Sequence, residues 1–171
     1  SGADGASFTL DSTGDVTVTE TASDGAVDIG VAVQPADVTI TDGEASTYDI
    51  ADVSGDVEVT GAVVTAGGIS VPDTAQNVSV ENADITLDAN GDIGVDIAAS
   101  GDDNEVISVT NSSVDGSSTD GTGIDLTGID TELGEEYSIE DNNITNFGDG
   151  TGVDIAEVDS NGRNADVSLS N

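Results

Sequence analysis

The chain has 171 residues, and its 36 Asp plus Glu face a single basic residue, Arg163, so the net charge is −35. That length allows one compact domain or one short solenoid, and the charge excludes a nucleic-acid binder, because a phosphate backbone would be repelled. Cys and His are absent, which removes disulfide logic and any zinc, copper or haem ligation.

No apolar run nears the roughly 20 residues that span a bilayer, so no membrane span is expected. The opening "SGADGAS" carries neither an initiator Met nor a signal peptide and is expected to be a processed end or an excised fragment. The 26 Asp and 10 Glu run from Asp4 to Asp166 instead of massing in a tail. So much charge with two Phe and two Tyr is also the signature of disorder. Against disorder stand 34 Val plus Ile at alternating positions, and they favour a folded β protein.

Taken along the chain, apolar pairs at period two predict strands in two strictly alternating sets. Phe8/Leu10 opens a second face, followed by Val16/Val18 on a first face, then Val27/Ile29, Val38/Ile40, Tyr48/Ile50, Val57/Val59, Ile69/Val71 and Val78/Val80. The alternation continues through Val95/Ile97, Ile107/Val109, Ile124/Leu126, Tyr137/Ile139, Val153/Ile155 and Val167/Leu169. First-face pairs recur after 22, 19 and 21 residues (Val18, Ile40, Val59, Val80), then after 29, 30 and 30 (Val109, Ile139, Leu169). The longer coils add a short third step at Ala83/Ile85, Ser112/Val114 and Asn142/Ile144.

A hairpin sandwich would show tight Asn-Gly turns and no superperiod of this kind. A coil that cannot bury its few apolar side chains alone stacks them on the next coil, which makes a solenoid. The near-identical phrases "GTGIDL" (121–126) and "GTGVDI" (150–155) are then two rungs of one ladder. Gly123 and Gly152 are expected to turn the chain into the strand, with Ile124, Leu126, Val153 and Ile155 inward and Asp125 and Asp154 outward.

The repeat resembles the right-handed parallel β-helix of the pectin-lyase-like superfamily, over the pattern from about Phe8 to the end. The resemblance implies an all-β, right-handed parallel β-helix solenoid of about seven coils. It forms a single domain over 1–171, with coils of about 20 residues to about position 80 and about 30 after. At about 4.8 Å per coil the rod is on the order of 33 Å long. The composition, without lysine, resembles that of extreme halophiles, especially the secreted and surface β-helix proteins of haloarchaea. Stacked asparagines at a corner are a feature of the resembling family, and Asn82, Asn111, Asp141 and Asn171 stand two residues past successive first-face pairs. Asx residues also populate turns simply because they tolerate left-handed backbone.

Related β-helices include polysaccharide lyases and glycoside hydrolases. A lyase usually relies on Arg or Lys as base, and here Arg163 stands alone in "DSNGRNAD". The hydrolase motifs of the family include a His and an Arg-x-Lys segment, which this chain lacks, and adjacent acids such as Asp102/Asp103 or Glu135/Glu136 carry little information among 36. The chain is therefore expected not to be an enzyme.

Oxygen-rich turns make Asp102, Asp103, Asp120 and Asp149 the metal candidates. None follows the EF-hand register or the Gly-Gly-x-Gly-x-Asp nonapeptide, so no cofactor is required and Ca²⁺, Mg²⁺, Na⁺ or K⁺ would be held loosely. Three glycosylation triplets begin at Asn77, Asn111 and Asn143. Asn77 is the best placed, in a turn before a strand, while an inward Asn111 would be inaccessible. Mimicry of DNA is a further reading, but halophilic acidity accounts for the same charges without a partner.

The functional expectation is a non-catalytic structural module at the cell surface or outside a halophile: a filament subunit, a surface-layer-associated protein or an adhesin. A carbohydrate-binding or carbohydrate-processing β-helix and a spike or fibre of a halophilic virus are the alternatives. The partners are further copies of the chain, joined head to tail, and cell-surface glycans. Phe8 and Leu10 at one end and Val167 and Leu169 at the other form the assembly interface, since joining Asn171 to Ser1 would preserve the coil spacing.

Overall fold

The computed structural model describes residues 7–19, 25–72, 75–98, 106–117, 119–129, 136–157 and 166–170. Nineteen strands, numbered β1 to β19 in chain order, are found among them, and no helix. Every pairing is parallel, and the strands fall into three sheets whose members follow one another along the stacking axis. This is a parallel β-helix of about six to seven coils.

The second-face sheet stacks β1 (Phe8–Leu10), β3 (Val27–Ile29), β6 (Tyr48–Ile50), β9 (Ile69–Val71), β12 (Ile93–Ala98), β15 (Thr122–Ile129) and β18 (Thr151–Glu157). The first-face sheet stacks β2 (Val16–Thr19), β4 (Val38–Thr41), β7 (Val57–Thr60), β10 (Asn77–Glu81), β13 (Val106–Thr110), β16 (Glu136–Glu140) and β19 (Asp166–Ser170). The apolar pairs stack in the anticipated register: Val57 on Val78, Val78 on Ile107, Ile107 on Tyr137. Coil lengths change where the spacing changed, between β10 and β13.

A third sheet holds β5 (Glu44–Ala45), β8 (Val63–Val64), β11 (Asp84–Thr86), β14 (Ser113–Asp115) and β17 (Asn143–Thr145). It starts two coils earlier than the sequence suggests. In β5 and β8 a single inward residue, Ala45 or Val64, carries the contact, too short a run to show a period. The extra length of the later coils enters partly in the turns after this sheet, where Leu87 is fully buried and Phe147 packs against the core.

Stacked apolar side chains fill the bore, with Ile29, Ile50, Ile69, Ile97, Ile124 and Leu126 fully buried on the second face. Tyr48 and Tyr137 are the largest side chains without exposure. A buried side chain of this size is worth about 1.5–3 kcal/mol relative to an exposed one. Each coil contributes only a few, so the core is stable as a stack and not coil by coil.

Gly123 does not serve the turn role expected of it, since its φ is not among the positive values. Its reason is proximity. A Cβ there would lie 2.4 Å from the carbonyl oxygen of Gly152 and 2.7 Å from Ile144 Cγ2. Gly94 is held in the same way by Gly123 and Val114. At Gly152 the nearest atom among the described residues is Ile144 Cγ2 at 3.7 Å, ordinary contact, so no described neighbour requires glycine at that rung.

Candidate functional site

The alternation of a strand puts every second residue on the outside, and parallel register then stacks those residues into columns. On the second-face sheet one column runs Thr9, Asp28, Asp49, Ser70, Asp96, Asp125, Asp154. Five of its seven members are carboxylates, about 4.8 Å apart where they are adjacent. Burial raises the Asp96 carboxyl above its ordinary value of 3.8, and the charge of Asp125 adds to the rise. Burial raises Asp125 too, with Asp154 contributing. The folded state therefore binds these protons more tightly than the unfolded chain does.

Linkage gives the sign. A raised folded pKa contributes stability that is full below the unfolded pKa and is lost as pH rises through the folded one. Asp115 works in the opposite sense. Its carboxylate accepts from the Ser117 backbone N–H at 2.8 Å and from Asn146 Nδ2 at 3.0 Å, which lowers its pKa. That contribution is present above about pH 4 and fades as pH falls through the folded value. At low ionic strength the melting temperature is expected to rise as pH drops from 7 towards 4, then turn over below. Asp125→Asn should raise the pH 7 melt and flatten the slope. A melt that falls steadily from pH 7 to pH 4 would contradict the column as a source of strain.

Other acids do a different job. Asp37 Oδ1 accepts from the Asp56 N–H at 2.9 Å, Asp56 Oδ1 from Asn77 Nδ2 at 2.7 Å, and Asn77 Oδ1 from the Val106 N–H at 3.1 Å. A second chain links Asn90 Oδ1 to the Asp120 N–H at 3.2 Å and Asp120 Oδ1 to the Asp149 N–H at 3.1 Å. These side chains tie each turn to the next coil, supplying partners for turn amides that have no ladder of their own.

The expected metal candidates Asp120 and Asp149 are thus neighbours in one turn column, with one Asp120 oxygen already accepting a backbone bond. Asp102 and Asp103 lie outside the described residues, among which no group of three or more acids gathers as metal ligands.

Asn82, Asn111 and Asp141 share one corner, each with left-handed φ of 55°, 52° and 56°. Gly61 and Asp42 take the same conformation one and two coils earlier than Asn82. The side chains of Asn82, Asn111 and Asp141 are exposed, so the inward Asn111 is corrected: left-handed backbone turns it out to solvent. Asn171 lies outside the described residues. The inward polar stack stands one residue further on. Ser112, 2% exposed, accepts from the Ala83 N–H at 3.1 Å through Oγ and donates to the Thr110 carbonyl at 3.0 Å. Asn142 Oδ1 accepts from the Ser112 N–H at 2.9 Å, and its Nδ2 donates to the Val109 carbonyl at 2.7 Å. The sequence signal was there: Ser112 and Asn142 occupy a step whose other first member is Ala83.

A shallow depression of about 230 Å³ lies on the first-face sheet where coil length changes. Asp56, Glu58, Asn77, Ser79, Ser108 and Val106 line it, the last 40% exposed. Ser108 Oγ donates to Ser79 Oγ at 3.2 Å across adjacent coils.

At the other places of interest, Phe8 in β1 is 45% exposed and Leu10 packs partly against the core. Val167 and Leu169 pair through the backbone with Tyr137 and Ile139, and their side chains lie outside the described part. Among the described residues no helix is long and apolar enough to cross a membrane.

Fold and surface together define a parallel β-helix with a carboxylate column on one face and Asx ties between its turns. No family model matches the chain, and no curated protein or solved structure is significantly similar to it.

Proposed function

We propose that the protein is a non-catalytic structural module of an extracellular assembly in a halophile, a rod that associates end to end through its coils. The observation that supports this most is the in-register stacking of like charges along the second-face sheet, Asp96 on Asp125 on Asp154. Such a column is tolerable where concentrated salt screens it to about 3 Å, and a uniform rod is suited to transmitting contact along its axis. The right-handed sense implied by the resemblance agrees with the general rule for parallel crossovers.

End-to-end contact is supported by β1, which among the described residues pairs with β3 alone and presents Phe8 to solvent. An open parallel edge invites a further strand, and a head-to-tail contact of this kind propagates. Sedimentation velocity and negative-stain imaging in molar KCl should show rods that lengthen with protein concentration. Phe8→Asp should leave particles of one unit with unchanged circular dichroism. Single units at every concentration of the parent chain would overturn the assembly.

The depression at Asp56, Glu58, Ser79 and Ser108 favours the saccharide-binding alternative, since carboxylates and hydroxyls beside an exposed Val106 suit a neutral sugar. Glu58→Ala weakening retention on a neutral glycan array would raise that reading above the first.

A further inference from the structure

The three Asn-x-Ser/Thr triplets separate sharply once folded. Asn77, favoured by position in the sequence, has both ends of its amide engaged: Nδ2 with Asp56 and Oδ1 with the Val106 N–H. A sugar on Nδ2 would displace the Asp56 bond in the turn column and crowd a half-buried site. Asn111 is exposed, but Ser112 beside it is locked into the inner corner and Ser113 is half-buried. Asn143 differs from both. In β17 it and Thr145 are exposed on one outward face while Ile144 packs against the core, and the Asn143 side chain has no hydrogen-bond partner among the described residues.

We propose that Asn143 is an N-glycan acceptor, because β17 presents its unengaged amide and the Thr145 hydroxyl together on the outside of the third sheet. The donor is an oligosaccharide carried on a polyprenyl phosphate. Asn143 Nδ2 forms a bond to the anomeric carbon and loses one proton. The anomeric C–O bond breaks, and the lipid phosphate departs with the electron pair. The fold acts as a filter on the product. A glycan at Asn143 projects from the rod, whose next residue in the same column is the hydroxyl-bearing Ser113, whereas one at Asn77 opens a tie between coils.

The proposal rests on the extracellular reading, since the chain must meet a transferase on its way out of the cell. The test therefore supplies that route: the full chain behind a secretory leader in a haloarchaeal host that N-glycosylates, beside a reporter glycoprotein. Intact mass and glycopeptide mass spectrometry of secreted, folded material should place the sugar on Asn143. Asn143→Gln should lose that mass with an unchanged melting temperature, and Asn77→Gln should keep the mass but melt lower. A secreted chain bare at Asn143 while the reporter is modified overturns the proposal, as does sugar on Asn77 in the folded fraction. Failure of the structural-module reading would appear in sedimentation instead, and would leave the mass at Asn143 untouched.

Discussion

Dialysis from molar KCl to roughly 10 mM, where the Debye length is about 30 Å, is expected to weaken the β signal in circular dichroism and lower the melting temperature, and salt to restore both. The magnitudes favour this outcome. Two unit charges 4.8 Å apart repel by about 0.9 kcal/mol in bulk water, and partial burial increases that figure. Three such neighbours stack in the second-face column: Asp28 on Asp49, Asp96 on Asp125, and Asp125 on Asp154. At a 3 Å screening length most of this is removed, whereas at 30 Å it persists and charges several coils apart add to it. The nearest pairs alone then contribute a few kcal/mol of repulsion, against a typical domain stability of about 5–15 kcal/mol. With one basic residue against 36 acids, ion pairing offers no relief. Mixed-sign surfaces lose little on dilution, but this one stacks like charges on adjacent coils. Thermal melts that coincide from near-zero to molar KCl would sink the halophile reading and leave the fold standing.

The repeat was legible because burial in a solenoid is periodic along the chain. Both alternating faces, their register and the change of coil length follow from Val, Ile and Tyr at period two. The early third sheet was hidden because Ala45 and Val64 bury one side chain each. The corner was placed one residue early. Asn82 and Asn111 mark it through their backbone, but a left-handed residue swings its own side chain outward and hands the inward position to its successor, Ser112 or Asn142. Least visible were the Asx ties. Asp56 and Asn77, or Asn90 and Asp120, are 21 and 30 residues apart and share no local motif. Only a compositional trace foreshadows them: the 26 to 10 excess of Asp over Glu. A short side chain held near its own turn reaches an amide of the adjacent coil with less rotamer entropy to lose than a longer one. Halophilic acidity alone does not explain that preference, so part of the acid content is structural.

Ile124→Asp should be the most damaging single change in the second-face sheet. Ile124 has no exposed surface and stacks between Val95 and Val153. The substitution removes a buried aliphatic chain, worth about 2–5 kcal/mol on truncation, and leaves a carboxylate with no basic side chain among the described residues to pair it. Unlike the column acids, it would face the bore, where salt screens buried charge much less. The loss should exceed about 4 kcal/mol, an exceptional value for one residue, and molar KCl should not rescue it. Val153→Asp should cost less, since Val153 is only half-buried and its side chain can lean towards water. One position along, Asp125→Asn should stabilise the protein at low salt and be near neutral at molar salt, because it relieves repulsion from both Asp96 and Asp154. Urea melts of the three variants at low and at molar KCl would separate these effects, since urea leaves the ionic strength unchanged. If Asp125→Asn proved more damaging than Ile124→Asp, the carboxylate column would have to be holding a cation between its coils, and its stacking would be a source of stability and not of strain.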